Sequence, residues 1–317
     1  MLRVFFMKEG EIVRIKNPEN PNDPAAGKVL WVDLQSPTGE EQKLVESAFG
    51  VEFQTPQETA EIESSSRYYE DSNSIEANNT FLVYENHSYT SKQVSFILRD
   101  GVLFTLRDAD LKTFAETVRR MKNNTLGPIR EGTQLLLGLL ETRIDYDADF
   151  VEFLTKQTNL ISKQILKQKT FGGDTLLNIT ELQENTILIR ESITDKQRLV
   201  SSMLRSTLMK EEDKERLRII LKDVNSLLQH TEFGFERLEY LQNSFLGFVN
   251  LEQNQIIKLF TVASVIFMPP TLIASIYGMN FDFMPELHWK GGYILAIILM
   301  ILSSVGTLMY FKRRKWL

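Results

Sequence analysis

Two long apolar segments near the C-terminus constrain this chain more than any other feature of its sequence. The first ends at Tyr277-Gly278-Met279-Asn280, and a short loop separates it from the second, which ends at Phe311. Each segment has the roughly 20 residues that a helix needs to cross a bilayer. We therefore predict two transmembrane helices, at residues 256–279 and 292–311, joined by an outer loop at residues 280–291.

The charges that flank these segments predict the orientation of the chain. A basic run, Lys312-Arg313-Arg314-Lys315, follows the second segment and forms most of a tail at residues 312–317. Basic residues of this kind stay on the cytoplasmic side of a membrane. Because two spans return the chain to the side on which it started, the large N-terminal part is predicted to be cytoplasmic too. We expect a multi-pass protein of the cell (inner or plasma) membrane, with both termini cytoplasmic and the lipid bilayer around its spans.

The composition excludes several classes of function. The formal net charge of −6 argues against nucleic acid as a partner, because a nucleic-acid-binding protein needs a basic face. The acidity fits either cation binding or plain solubility. The chain has no cysteine and 3 histidines, scattered along the sequence, which argues against thiolate or histidine-built transition-metal sites. Since no phosphate-binding glycine-rich loop and no catalytic triad stand out, we expect no nucleotide, no organic cofactor and no enzymatic activity.

The first 130 residues have the pattern of a cytoplasmic α/β domain. An Asp100-Gly101 pair between two apolar runs predicts a β-hairpin. Residues 38–49 have helical spacing instead, so the domain should combine a modest sheet with helices. The predicted strands are residues 2–7, 29–34, 80–84, 93–98 and 102–106.

The middle of the chain is predicted to be helical throughout. Residues 131–210 form a cytoplasmic helical hairpin broken near Phe171-Gly172-Gly173-Asp174, and residues 211–255 form a stalk helix. No proline occurs between Pro128 and Pro269, so the stalk should continue into the first span. A helix over residues 213–279 would be roughly 100 Å long. A solitary helix of that length is not stable in water, so it must pack against copies of itself or against the hairpin.

Polar and small residues follow one face of the first predicted span. They recur at alternating three- and four-residue steps, which keeps them on one side of a helix. The face comprises Asn254, Ile257, Thr261, Ser264, Met268, Thr271, Ser275 and Gly278.

Two interpretations of this face are open. Small hydroxyl residues commonly mediate tight helix packing or bond to their own backbone. Alternatively the face lines a conducting path, and then several copies must surround an axis with their first helices inside and their second helices outside. The pair Pro269-Pro270 lies within the face's length and should kink or loosen the helix locally.

The C-terminal residues resemble those of the CorA-type divalent-cation transporters, and the resemblance extends more weakly over the whole chain. The residues that carry it are Phe267-Met268-Pro269, Tyr277-Gly278-Met279-Asn280, Met284-Pro285-Glu286-Leu287, Tyr310-Phe311-Lys312 and Lys315-Trp316-Leu317. The resemblance implies a homopentameric funnel: an α/β cytoplasmic domain, a long helical stalk and two C-terminal transmembrane helices. It also implies that the transported ion is Mg²⁺.

The same resemblance implies roles for individual residues. Gly278, Met279 and Asn280 would form the selectivity filter, with the Asn280 carbonyl facing the ion. A ring of neutral carbonyls suits Mg²⁺, which usually keeps several of its waters when bound. Asn254, Ile257, Met268 and Thr271 match family pore positions, with Met268 in a hydrophobic constriction. The spacing of the polar face adds Thr261, Ser264 and Ser275 to the candidate pore-lining set. Asp282 and Glu286 in the outer loop either concentrate cations at the mouth or simply solvate the loop.

A regulatory role for Mg²⁺ also follows from the resemblance. In the family, acids between neighbouring cytoplasmic domains bind Mg²⁺ and hold the closed form. The matching candidates are Glu61, with Glu58 and Glu63 nearby, and Asp223 on the stalk. The segment 58–63 departs from the family's usual residue types, and matching the stalk near Asp223 needs a shift of a few residues. The alternative is that these are ordinary surface acids.

Two other functions stay open on the sequence alone. A relative on the same scaffold could transport zinc or another divalent metal, and Co²⁺ or Ni²⁺ could be carried together with Mg²⁺. A membrane-anchored signalling or scaffold protein would use the two spans only for attachment. The polar face of the first span argues against the second alternative.

Overall fold

The computed structural model describes residues 1–54, 67–85, 88–167, 173–280, 282 and 284–314. The chain divides into two compact units, Met1–Gln242 and Asn243–Leu317. The strands are β1 (Leu2–Lys8), β2 (Glu11–Lys16), β3 (Lys28–Gln35), β4 (Tyr68–Glu70), β5 (Ser74–Glu85), β6 (Ser88–Arg99) and β7 (Val102–Arg107). The helices are α1 (Gly39–Phe49), α2 (Lys112–Lys122), α3 (Gly132–Lys167), α4 (Gly173–Arg205), α5 (Glu211–Tyr277) and α6 (Gly292–Arg313), with 3₁₀ turns at Pro24–Ala26 and Pro285–His288.

The strands of the first unit form one mixed sheet in the order β2-β1-β3-β7-β6-β5-β4. Strands β3 and β7 pair in parallel, and β6 and β7 form the predicted antiparallel hairpin. Its turn residues Asp100 and Gly101 both have positive φ, 50° and 74°, as a tight hairpin turn requires. The five predicted strand segments all lie in strands of this sheet, and the predicted α/β architecture is confirmed.

Helices cover both faces of the sheet. On one face Val45 of α1 packs with Val32 and Phe104 of the central strands. On the other face Trp31 stacks on Phe5 at 4.6 Å between ring centroids. Helix α1 begins at a capping box in which Thr38 and Glu41 satisfy each other's backbone N–H groups, a standard device for fixing a helix start.

The outer edge of β5 is closed by side chains rather than by a full strand. The short strand β4 pairs only with Ile75–Ala77 of β5, which leaves the backbone at Thr80 facing helix α4. There Asp195 Oδ2 accepts from the Thr80 N–H at 2.8 Å, and Lys196 Nζ donates to the Thr80 carbonyl at 2.9 Å. Arg143 of α3 donates to the Leu82 carbonyl at 2.8 Å. These contacts satisfy edge groups that would otherwise be buried without partners.

Lys196 links α3, α4 and β5 through a buried charge cluster. Its side chain is fully buried, and its Nζ lies 3.2 Å from Asp147 Oδ2. Arg143 also donates to Asp147. Burial lowers the pKa of Lys196 to about 8, and the neighbouring Asp147 carboxylate partly offsets that decrease. The cluster therefore stabilises the fold only while all of its members are present.

Helices α3 and α4 form the predicted hairpin, and the first part of α5 packs against it. Arg216 of α5 holds Glu141 of α3 through both carboxylate oxygens, each at 2.9 Å. Val224 and Leu238 of α5 are buried. The stalk was expected to pack against copies of itself or against the hairpin. Within this unit, the first part of α5 packs against the hairpin.

Some helix boundaries differ from the prediction. Helix α4 begins at Gly173, so Gly173 and Asp174 lie in the helix rather than in the break, because glycine at a first helical position carries little penalty. Phe171 and Gly172 lie outside the described residues. Helix α4 ends at Arg205, short of the predicted Lys210. The domain boundaries proposed from the sequence stay predictions.

The second unit contains two helices that are long and apolar enough to cross a membrane. The most apolar window of α5 has a mean hydropathy of 1.9, and that of α6 reaches 2.3. Helix α5 continues without a break through Pro269 and Pro270. The prediction of one helix from about residue 213 to residue 279 is confirmed within two residues at each end.

We expect Lys196→Met to destabilise the first unit by about 3–5 kcal/mol, because the buried Asp147 carboxylate keeps only Arg143 as a charged partner. The measurement is the denaturant midpoint of the purified full-length chain in detergent. Lys156→Met is the matched control on α3, since Lys156 and its partner Glu152 are each 72% exposed. Equal midpoint changes for the two variants would contradict the stabilising role of the Lys196 cluster.

Candidate functional site

The predicted polar face of α5 is uncovered in the single chain. All of its members from Asn254 to Gly278 are exposed, and Ile257 and Met268 are 61% and 66% exposed. The half-buried residues of the same stretch lie on another face and include Ala263, Ile266 and Ile273. The polar face therefore does not serve to pack α5 against the chain's own second helix.

Hydroxyl groups on this face bond to their own helix in two cases. Thr261 Oγ1 donates to the Ile257 carbonyl at 2.8 Å, and Thr271 Oγ1 donates to the Phe267 carbonyl at 2.7 Å. The alternative of bonding to the backbone is thus correct for these two threonines. Their oxygens still have lone pairs that can accept from water, so the face presents neutral acceptors along its length.

Asn280 lies just beyond the end of α5. The Gly278 N–H donates to the Ala274 carbonyl at 3.0 Å and the Met279 N–H donates to the Ile276 carbonyl at 3.2 Å, which finishes the last turn. Asn280 is exposed, and its side-chain amide has no hydrogen bond to the described part of the chain. Its carbonyl oxygen is therefore free to accept from a ligand or from a water molecule.

The outer loop is held against the start of α6 by a glycine. The Gly292 N–H donates to the Trp289 carbonyl at 3.0 Å, and the Trp289 N–H donates to the Glu286 carbonyl at 3.4 Å. A Cβ atom on Gly292 would overlap the Glu286 carbonyl oxygen, so only glycine fits here without a shift of the loop. The acids Asp282 and Glu286 are exposed and have no ion pair within the described residues.

One face of helix α6 packs within the unit. Ala296, which is only 8% exposed, marks this face. Gly292 is buried on that face, and Ser303, Ser304 and Thr307 are half-buried on it. The packing positions of Gly292 and Ser304 were not predicted from the sequence, and their small size among large apolar residues is the signal that could have indicated them.

The predicted regulatory acids are only partly described. Asp223 is exposed on α5, without a hydrogen bond or ion pair to any described residue. Glu58, Glu61 and Glu63 lie outside the described residues. Within the described ranges, no group of three or more His, Asp or Glu side chains is placed to hold a metal ion.

Comparison with known proteins identifies the family. The sequence profile described as "CorA-like Mg2+ transporter protein" matches residues 26–313. The magnesium transport protein CorA of Wolinella succinogenes is 39% identical over 323 aligned positions that cover all of both chains. The magnesium transport protein CorA of Helicobacter pylori is 35% identical, again over all of both chains.

The fold agrees with this similarity. The complete structure of the CorA magnesium transporter from Methanocaldococcus jannaschii superimposes with a TM-score of 0.85 at 18% identity, covering 100% of this chain and 99% of that one. The α/β domain, the long helix and the two C-terminal apolar helices predicted from the sequence are all present. The chain therefore belongs to the CorA-like Mg²⁺ transporter family.

Proposed function

We propose that this protein is a channel for Mg²⁺ influx in which several copies, five by family resemblance, surround a common axis. The observation that carries the proposal is the polar face of α5, which is exposed along its whole length and ends beside the exposed side chain of Asn280. One chain with two spans cannot enclose a pore. Copies arranged with α5 inside and α6 outside would turn the exposed faces toward the axis and leave α6 toward lipid.

The chemistry of the face suits a hydrated dication. It offers hydroxyl and amide oxygens without formal charge, which can hydrogen-bond the ion's water shell without removing it. Binding that is weak and repeated along the path allows the ion to leave again. Gly278 and Met279 shape the turn that presents Asn280, and the exposed thioether of Met268 would form the narrow apolar point.

The driving force needs no bound nucleotide. At about 2.3 kcal/mol per charge per 100 mV, a dication gains roughly 4.6 kcal/mol when it enters a cell held at −100 mV. The basic residues Lys312 and Arg313 in the last turn of α6 support a cytoplasmic C-terminus. The N-terminus would then be cytoplasmic too, in a protein of the cell membrane.

The ligand chemistry of the polar face also bears on whether divalent ions other than Mg²⁺ are transported. A ring of amide oxygens around a hydrated ion does not strongly separate Mg²⁺ from Co²⁺ or Ni²⁺, so we propose that these ions also pass. Zn²⁺ favours imidazole and thiolate ligands, and the polar face contains neither. Magnesium is therefore the better assignment than zinc.

Regulation by internal Mg²⁺ is the second part of the proposal. Mg²⁺ bound between Asp223 of one copy and the acidic segment that contains Glu58, Glu61 and Glu63 of the next would bridge like charges and hold the channel closed. The exposed and unpaired carboxylate of Asp223 supports this role. When internal Mg²⁺ falls, the released acids repel each other and favour an open form.

We predict that Asn280→Ala abolishes selective Mg²⁺ uptake without preventing assembly, because the first ring that meets the hydrated ion loses its carbonyls. Uptake into liposomes with an internal Mg²⁺ dye measures the effect, with size-exclusion chromatography as the check on assembly. Asn123→Ala is the control, as Asn123 is exposed at the end of α2, far along the chain from the spans. Normal uptake by Asn280→Ala would remove Asn280 from the filter.

Gly292→Ala is expected to reduce Mg²⁺ flux strongly, because a Cβ there forces the Glu286 carbonyl and the outer loop to move. Gly306→Ala on the same helix is the matched control, since a Cβ at Gly306 meets no atom within 4 Å. Both variants should insert and assemble, which leaves flux as the discriminating measurement. Equal fluxes would show that the position of the loop does not matter for conduction.

Asp223→Ala, alone and with Glu61→Ala, should weaken the protection that Mg²⁺ gives against limited proteolysis. The physical reason is the loss of carboxylates that bind the ion between neighbouring copies. The test compares cleavage rates with and without millimolar Mg²⁺. Glu215→Ala is a control acid on the same helix, because Glu215 already pairs with Arg218. Unchanged protection in the double variant would exclude these acids from the sensor.

A further inference from the structure

Two adjacent prolines inside α5 leave two backbone carbonyls without their usual partners. A helical carbonyl normally accepts from the N–H four residues later, and proline has no N–H. Pro269 and Pro270 therefore remove the donors for the carbonyls of Val265 and Ile266, both in the apolar part of α5. Within a bilayer no water is present to replace such a donor, so an unsatisfied carbonyl is costly.

A serine on the second helix lies beside one of these carbonyls. Ser304 Oγ of α6 donates to the Ile266 carbonyl at 3.4 Å, the oxygen that the missing Pro270 N–H would have served. The two other hydroxyls nearby bond within α6: Ser303 Oγ donates to the Met300 carbonyl at 2.8 Å and Thr307 Oγ1 to the Ser303 carbonyl at 2.8 Å. Of these three hydroxyls only that of Ser304 reaches α5.

The contact lies where the two helices pack. Ile266 and Ser304 are both half-buried, and Ser304 lies on the same face of α6 as the buried Ala296. Met268, two residues after Ile266, lies on the exposed face and would form the constriction under the proposed function. The turn that carries Met268 thus lies where two prolines remove backbone N–H donors, and Ser304 supplies a hydroxyl donor to one of the two affected carbonyls.

We propose that Ser304 is a positioning residue: its hydroxyl replaces the N–H that Pro270 lacks and fixes the Met268 turn of α5 against α6. Its relevance to conduction rests on the proposed function, whereas the contact itself does not. Without it, the Ile266 carbonyl loses the donor that stands in for the Pro270 N–H, and the turn becomes free to shift away from α6.

Removing the proline should make the serine unnecessary, and this gives a decisive test. Pro270→Ala restores the N–H that serves the Ile266 carbonyl. The experiment is a double-mutant cycle of Ser304→Ala and Pro270→Ala on the full chain, read by its thermal midpoint in detergent. We expect Ser304→Ala to lower the midpoint in the native background and to have no effect in the Pro270→Ala background. Additive effects in the cycle would overturn the proposal.

A local measurement separates positioning from general stability. The native chain has no cysteine, so Met268→Cys provides a single reporter thiol whose rate of modification by a water-soluble reagent can be followed. Ser304→Ala should change that rate by about three- to fifteen-fold, the range expected for a hydrogen bond between membrane helices. The rate at a Ser275→Cys reporter, farther along the same face, should stay within the error of the measurement. Equal changes at both reporters would overturn the local role.

Two further variants serve as controls for Ser304→Ala. Ser303→Ala removes a hydroxyl that bonds within α6, so any effect it has should be the same with and without Pro270→Ala. Ser304→Thr keeps the hydroxyl and should retain the native reporter rate. If Asn280→Ala conducts normally, the proposed function fails while the cycle still tests Ser304. If the cycle is additive, the role of Ser304 fails while the channel proposal stands.

Discussion

Backbone groups that cannot be satisfied within their own helix or strand determine which side chains this structure depends on. In the first unit the buried backbone of β5 at Thr80 is served by the side chains of Asp195 and Lys196. In the second unit the carbonyl released by Pro270 is served by Ser304. Both solutions follow from the same cost, since a buried carbonyl without a donor loses the hydrogen bond that water would have made.

The two solutions differ in what they demand from the sequence. At the β5 edge the Thr80 carbonyl accepts from Ser192 Oγ and from the buried Lys196, and the lysine has the Asp147 carboxylate and the Arg143 guanidinium beside it. A buried charge cluster of this kind fails if one member is lost. Serving one carbonyl between membrane helices required only a small hydroxyl side chain, which adds no charge to an apolar region.

Periodicity and turn chemistry were sufficient to predict the elements. The Asp100-Gly101 pair specified the β6–β7 hairpin, because both residues tolerate the positive φ that its turn requires. The proline-free stretch before Pro269 predicted that the stalk continues into the first span, and the three- and four-residue steps predicted the polar face of α5. These are local properties, so a single sequence contains enough information to predict them.

Contacts between distant parts of the chain could not be predicted in the same way. Nothing near Thr80 indicates that residues 115 or 116 positions later will serve its N–H and carbonyl. The overlap that excludes a side chain at Gly292 depends on the path of the loop around Glu286. The role of Ser304 needs the register between α5 and α6, which neither helix specifies by itself. For the candidate site, the sequence therefore predicted which face is polar, but not what holds that face in position.

The exposure of the polar face favours the assembly of several copies in a bilayer. A single copy in a bilayer would turn Thr261, Ser264 and Thr271 toward lipid, since α6 packs on a different face. The threonine donors are already satisfied by their own helix, which lowers the cost of lipid exposure but does not remove it. Copies that turn these faces toward a shared water-filled axis would solvate them all at once. Hydration of the polar face would thus favour the same oligomer that the proposed ion path needs.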